Sequence, residues 1–167
     1  MHPLFHPLFI DYITYFNGNH DYFECHEVLE EYWKDVAPGQ KEHPLVGYVQ
    51  IATGMYHWRR GNTSGAVRIF EKGKTLLESA AASPFLAYID EPAFFKQLHV
   101  TAQQMKRGEP FTPFTLPLTN VALKQLAEQA INELPCVEVA YLRDKHKLRD
   151  RSDVLQARAE KIASKAR

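Results

Sequence analysis

No apolar run in this 167-residue chain approaches the roughly 20 residues that a membrane-spanning helix requires. The chain has only two cysteines, Cys25 and Cys136. Their placement fits neither a metal-binding nor a redox spacing, so free thiols in a reducing cytoplasm are the simpler reading. Neither sign of charge is in excess: 20 Lys and Arg balance 20 Asp and Glu. Global attraction to nucleic acid or to an acidic membrane is therefore not expected. The N-terminal stretch from Met1 to Phe9 has no basic region and no cleavage site, and it is not read as a signal peptide. No strand or hairpin pattern competes anywhere in the chain. Asn62-Thr63-Ser64 matches a glycosylation sequon, which has no meaning in a cytoplasmic chain.

What is present is helical periodicity in a chain that is 45% apolar and 12% aromatic, enough for one real core. A first helix is expected from about Pro7 to Asn17, stopped by Gly18-Asn19. A second opens at Asp21, with Glu24 three residues later as a variant capping box, and ends before Pro38-Gly39. A third runs from near Pro44 to Gly61, and a fourth from Asn62 or Thr63 to a point before Pro84. A fifth begins at Asp90, with Pro92 in its first turn, and stops at Gly108. The proline-bearing segment 109–118 is a connector, and Val121 to Glu133 is a further helix. From Arg143 to Arg167 nine Lys or Arg face four Asp or Glu. A solvated helix or frayed tail is expected over Val137 to Arg167, with little burial. Gly18-Asn19 recurs as Gly61-Asn62, 43 residues on, too weak an echo for a repeat architecture.

The second helix carries the unusual chemistry. On a helical wheel Tyr22, His26, Leu29 and Trp33 fall on one side with Glu30 at its edge, while Glu24, Glu27 and Glu31 fall on the other. A histidine and a carboxylate four residues apart would then face the interior, where a charge is costly unless paired or bound. The third helix is apolar over most of its circumference, with one narrow stripe of Gly47, Gln50, Gly54, His57 and Gly61. Glycines in line admit another backbone at close range, and the second helix is the expected partner. His26, Glu30, Gln50 and His57 would then surround one point.

Three readings stay open for that cluster. It is a hydrogen-bonded polar knot that fixes helix packing. It is a metal site with His26, Glu30 and His57 as ligands to a divalent ion. Or it is an acid–base pair in a small-molecule pocket. Arg60 lies nearer the stripe than Arg59 and is the better candidate for contact with an anion. Arg59 and Arg60 both end the third helix, where basic residues complement the helix dipole. The remaining histidines are read as surface or packing residues.

At these residues the chain resembles the DUF309 domain family, whose hallmark H-x-x-x-E-x-x-W stands here as His26, Glu30 and Trp33. The preceding Asn17-Gly18-Asn19-His20-Asp21-Tyr22-Phe23-Glu24-Cys25 is also similar to the family, as are Gln50-Ile51-Ala52, Tyr56 to Asn62 and Gly65-Ala66. The resemblance covers about 40% of the chain, from Phe16 to Ala82. It implies an all-α bundle and a cytoplasmic protein, and it implies no particular activity.

The expected architecture is an all-α bundle of about five helices over residues 1–118, with a C-terminal helical extension over 119–167. The expected function is an interaction or structural module whose His/Glu/Gln cluster stabilises helix packing. The alternative is an enzyme, or a protein binding a small ligand or metal, that uses His26, Glu30, Gln50 and His57 between helices. The absence of any cofactor is the favoured expectation, with a divalent metal as the alternative. A protein partner or self-association is open, and neither membrane nor nucleic acid is expected as a partner.

Overall fold

The helix with the least polar circumference lies at the centre. The computed structural model describes residues 1–136 and 139–145. Among them, helix α3 (Pro44–Arg59) buries Leu45, Tyr48, Ile51, Ala52, Met55, Tyr56 and Trp58 together with Gly47 and Gly54. A helix apolar on nearly every side is stable only when surrounded. The other described α-helices are α1 (Pro7–Thr14), α2 (Tyr22–Val36), α4 (Thr63–Ser79), α5 (Glu91–Lys106), α6 (Val121–Asn132) and the short α7 (Val139–Arg143). The chain is all-α, and its only ladder contact among the described residues is an isolated bridge, Ile89 to Leu118. None of the described helices is long and apolar enough to cross a membrane.

The most extensive helix contact is between α3 and α4, followed by that between α2 and α3. Glycine sets the first of these. A Cβ on Gly47 would lie 2.8 Å from the Leu77 side chain, and one on Gly54 2.8 Å from Phe70 Cβ. On the facing helix, a Cβ on Gly73 would lie 2.8 Å from the carbonyl oxygen of Gly47 and 3.0 Å from the backbone nitrogen of Ile51. The glycine stripe of α3 therefore faces α4, not α2. The sequence reading chose α2 because the connection to it is short. The steric match decides otherwise, since Gly73 is the small residue that admits the α3 backbone.

Helix starts obey a rule that the sequence reading passed over. His-Pro-Leu occurs at 2–4, 6–8 and 43–45. In each case the histidine is an N-cap, the proline follows in the first turn, and the leucine N–H donates to histidine Nδ1, at 3.2, 3.1 and 3.2 Å. Each ring also packs on an aromatic neighbour: His2 on Tyr88, His6 on Tyr32 and His43 on Phe85. Each of these histidines thus packs on an aromatic ring and also caps a helix, with Nδ1 as acceptor.

Helix α1 ends in a π-turn, Tyr15–Asn19, and His20 then takes a left-handed conformation with φ 57°. The π-turn brings Gly18 against Ile131 and Leu134 beyond α1, leaving no room for a Cβ. Helix α6 thus packs back on α1, and its Leu123 and Ala127 belong to the core. The expected extension starts at residue 119, yet its first helix is bound to the bundle. The expectation for 137–167 is open to view only at 139–145; residues 137–138 and 146–167 lie outside the described residues.

Two outcomes follow. Gly73→Ala gains about 1 kcal/mol of helix propensity, but a methyl pressed into rigid backbone costs about 1–3 kcal/mol. A net loss of stability is expected, read as a lower urea midpoint. Separately, burial lowers the His43 pKa below the ordinary imidazole value. The unfolded chain then takes up the proton at higher pH than the folded one. The cap's contribution is complete above about pH 6.5 and is lost as pH falls through the lowered folded value. His43→Asn, which retains a capping side chain, should show a shallower fall of melting temperature between pH 7 and 5 than the wild type.

Candidate functional site

Helix α2 begins where Asp21 Oδ1 accepts the backbone N–H of Glu24 at 3.2 Å. Its interior stripe is Tyr22, Cys25, Leu29 and Tyr32. It shares Tyr22 and Leu29 with the stripe the sequence suggested but takes Cys25 and Tyr32 in place of His26 and Trp33, which leaves His26 and Glu30 on the flank. Their side chains are 34% and 32% exposed. His26 Nε2 lies 3.1 Å from Glu30 Oε2, and His26 Nδ1 lies 3.4 Å from Glu27 Oε1. Glu30 also pairs with Lys34. The pair is therefore part of a half-exposed charge ladder along α2, not a buried knot. Cys25 took the interior place instead; burial pushes its thiol pKa far up, and Sγ rests 3.5 Å from the Tyr12 carbonyl. Trp33 is half-buried and donates its indole N–H to the Gln40 carbonyl at 2.9 Å.

Gln50 and His57 lie on the other side of α3. A Cβ on Gly73 of α4 would stand 2.9 Å from Gln50 Cβ. Gln50 Oε1 and His57 Nδ1 are buried without a hydrogen-bond partner among the described residues. Burial, followed by the charge of Arg60, lowers the His57 pKa, so its ring is neutral near pH 7. Among the described residues, no three His, Cys, Asp or Glu side chains form a group that could hold a metal ion. The proposed ligand set His26, Glu30 and His57 is thus not assembled. The reason is again the orientation of the α3 stripe, which turns toward α4. Gln50 borders an open groove of about 980 Å³ with Glu42, Glu71, Lys72, Thr75 and Leu76.

The concentrated polar contacts sit at the C-terminal end of α3. Arg59 continues the buried row Tyr48, Ala52, Met55 at helical spacing, so its guanidinium is carried inward. It donates from one terminal nitrogen to the His20 carbonyl at 2.7 Å and from the other to the Leu142 carbonyl at 3.0 Å. Its Cζ stands 4.9 Å from the Tyr22 ring centre and 5.7 Å from that of Phe111. Burial lowers the Arg59 pKa, and Tyr22 and Asp21 oppose this. The left-handed turn at His20 is what aims its carbonyl at Arg59. Arg60 lies over the Tyr56 ring at 5.5 Å, and its Nε stands 3.6 Å from Asp144 Oδ1.

Helix α7 and the residues after it complete the arrangement. Lys145 Nζ contacts Asp21 Oδ2 at 2.7 Å and Glu24 Oε1 at 3.0 Å. Burial lowers the Lys145 pKa, but the hydrogen bonds with the two carboxylates outweigh it and the net shift is upward. Asp21 thus divides its oxygens, one capping α2 and one holding Lys145. The sequence reading missed Asp21, Tyr22, Arg59, Phe111, Leu142 and Lys145 as a group. Only one signal was available: an arginine at a position of the apolar stripe of a buried helix.

Residues 9–69 match the family described as "Domain of unknown function (DUF309)". A protein of Bacillus subtilis (strain 168), "Uncharacterized protein YpuF", is 30% identical over 161 residues, covering 92% of each chain. The chain belongs to the DUF309 family. No solved structure matches it. The DUF309 match ends within α4, so it contains α2, α3 and the whole of the His20 to Arg60 segment. The likeness to the Bacillus protein runs well beyond that segment.

Because His26 and Glu30 are about one-third exposed, neutralising Glu30 should matter little. Exposed i,i+4 pairs contribute about 0.3–0.5 kcal/mol. Glu30→Gln and Glu27→Gln should melt within a degree or two of each other and of the wild type. A much larger loss for Glu30→Gln alone would restore the buried-knot reading.

Proposed function

We propose that this DUF309 chain is a helical structural and interaction module, acting in the cytoplasm, whose motif residues hold helix ends together and process no substrate. One observation carries the reading. Arg59 donates to two backbone carbonyls, one at the end of the π-turn and one in α7, while resting on Tyr22 and Phe111. A guanidinium committed in this way is a fastener: its fork is filled by main-chain acceptors. Residues 1–118 are read as the core unit and 119–167 as an arm that returns to it through α6 and α7. The free thiols, Cys25 buried and Cys136 exposed, support a reducing location.

A second reading, a small-ligand pocket, rests on the groove beside Gln50, whose buried Oε1 is unpaired among the described residues. Its metal form is tested by elemental analysis of protein purified without a histidine tag. Stoichiometric metal that His57→Ala removes would favour it.

The structural reading predicts that Arg59→Gln destabilises the full chain by about 2 kcal/mol, the scale of hydrogen bonds made by a buried charged group. Arg59→Lys should recover only part of this, because an ammonium cannot span both carbonyls with a planar fork. Chemical denaturation of the three proteins decides the matter. A residue serving a catalytic site commonly trades stability for activity, so an Arg59→Gln chain as stable as wild type would sink the proposal.

A further inference from the structure

Three features distinguish the face under α7. The first is how little of α7 is committed to the core. Helix α7 has five residues, too few to be stable alone, and Leu142 is its one buried side chain, while Val139 is 71% exposed. The second is that its remaining anchors are electrostatic and ordered along the chain. The Leu142 carbonyl meets Arg59, the Asp144 carboxylate meets Arg60, and the Lys145 ammonium meets Asp21 and Glu24. The third is that the receiving face is organised by other contacts. The His20 carbonyl fixes Arg59, the rings of Tyr22 and Phe111 support it, and Asp21 is fixed as the cap of α2.

Among the described residues the fit is also incomplete. Tyr22 Oη, Arg59 Nε and Arg60 Nε are buried without a hydrogen-bond partner among the described residues. Arg60 Nε already stands 3.6 Å from the Asp144 carboxylate, so Tyr22 Oη and Arg59 Nε are the groups to which a ligand would bring acceptor oxygens.

We propose that the face formed by Tyr22, Arg59, Arg60, Asp21 and Glu24 is a docking site for the C-terminal end of a helix on a partner protein. The matching helix end presents a leucine, then an acidic residue, then a basic residue, and α7 occupies the site in cis as a displaceable stand-in. This rests on the interaction-module reading and names the partner class for it. Terminal helix carbonyls carry the negative end of the helix dipole, which is what Arg59 receives. The acidic residue pairs with Arg60 and the basic one with Asp21 and Glu24, so reversing the two charges sets like charges against each other. The fixed face loses little freedom on binding.

The test uses the full chain as wild type and as Leu142→Ser/Lys145→Glu, which removes the two main anchors of α7. The probe is an end-blocked peptide of residues 139–145, Val-Ala-Tyr-Leu-Arg-Asp-Lys, followed by NMR at millimolar concentration. The Trp58 indole reports on the site, since its ring is 5.3 Å from Phe111 and the residue adjoins Arg59. The Trp33 indole, bound to Gln40 far along α2, is the internal control. The peptide should shift Trp58 and not Trp33 in the double variant. Binding to wild type should be about tenfold weaker, because α7 leaves only a small competent fraction. A peptide with its last two residues exchanged should not bind. Equal binding to both proteins, binding of the exchanged peptide, or no shift of Trp58 in a folded double variant would overturn the proposal. If the double variant does not fold, Lys145→Gln alone is the substitute and the same criteria apply. A failure here with a destabilised Arg59→Gln protein leaves the structural reading intact. A stable Arg59→Gln protein removes both.

Discussion

The close approach of α3 and α4 is the constraint on which the rest of the structure depends. With Gly73 against the backbone of Gly47 and Ile51, and Gly54 against Phe70, the two axes come nearer than any pair carrying Cβ atoms there could. One side of α3 is thereby filled by backbone. Its other sides are left for the aromatic side chains of α1, α2 and α5. Tyr12 and Tyr48 show the result: both are fully buried, and their hydroxyls donate at 2.8 Å to the carbonyls of Tyr48 and Phe85. Buried phenols require such partners, and here backbone oxygens of neighbouring segments supply them. Each tyrosine therefore ties one segment to the next.

A helix enclosed on all sides creates a difficulty at its ends, where four carbonyls lack intrahelical partners. At the C-terminus of α3 the chain places His57, Arg59 and Arg60 in succession. Basic residues there suit the dipole, but burial works against their charge. The structure resolves the conflict differently at each position. His57 is neutral, its pKa lowered by burial and by Arg60. Arg59 keeps its charge among carbonyls and ring faces, and Arg60 meets the Asp144 carboxylate. The motif segment around His20 is shaped to the same end. The π-turn and the left-handed His20 cost backbone strain that only surrounding contacts can sustain, and the His20 carbonyl they present is one half of the Arg59 clamp.

The fold was legible because punctuation is local. Asp21, Asn62 and Asp90 cap helices through contacts with the backbone three residues on, and Gly61 and Gly108 take the positive φ expected just past helix ends. Helix existence and most boundaries follow from such signals. The site was less legible for a geometric reason. In α2, positions 25 and 26 differ by about 100° of rotation, and the apolar pattern of Tyr22, Leu29 and Trp33 did not determine which of Cys25 and His26 faces inward. Packing of Tyr32 under the N-terminal segment, with its hydroxyl on the Pro3 carbonyl, rotates the helix toward Cys25. A wheel drawn on one helix carries no information about that contact. The same limit hid the α7 contacts, which join residues more than 80 positions apart.

That displacement of chemistry from His26 and Glu30 to Arg59 changes what kind of protein the motif describes. A histidine and glutamate paired on a half-exposed flank, with a lysine on the same carboxylate, are bathed in competing solvent and lack the enclosure that makes acid–base groups effective. The enclosed groups are instead the Asp21 carboxylate, held by Lys145, with a guanidinium, a neutral imidazole, a phenol and a thiol. Burial raises the pKa of the Tyr22 phenol and Cys25 thiol, so neither supplies a nucleophile near pH 7. Enclosed and charged are the Asp21–Lys145 pair, each committed to the other, and Arg59, whose donors point at main-chain oxygen. Main-chain oxygen at a helix end is a feature of every helical protein. A site built to receive it therefore selects by what flanks it, here an acidic pair on one side and a second arginine on the other.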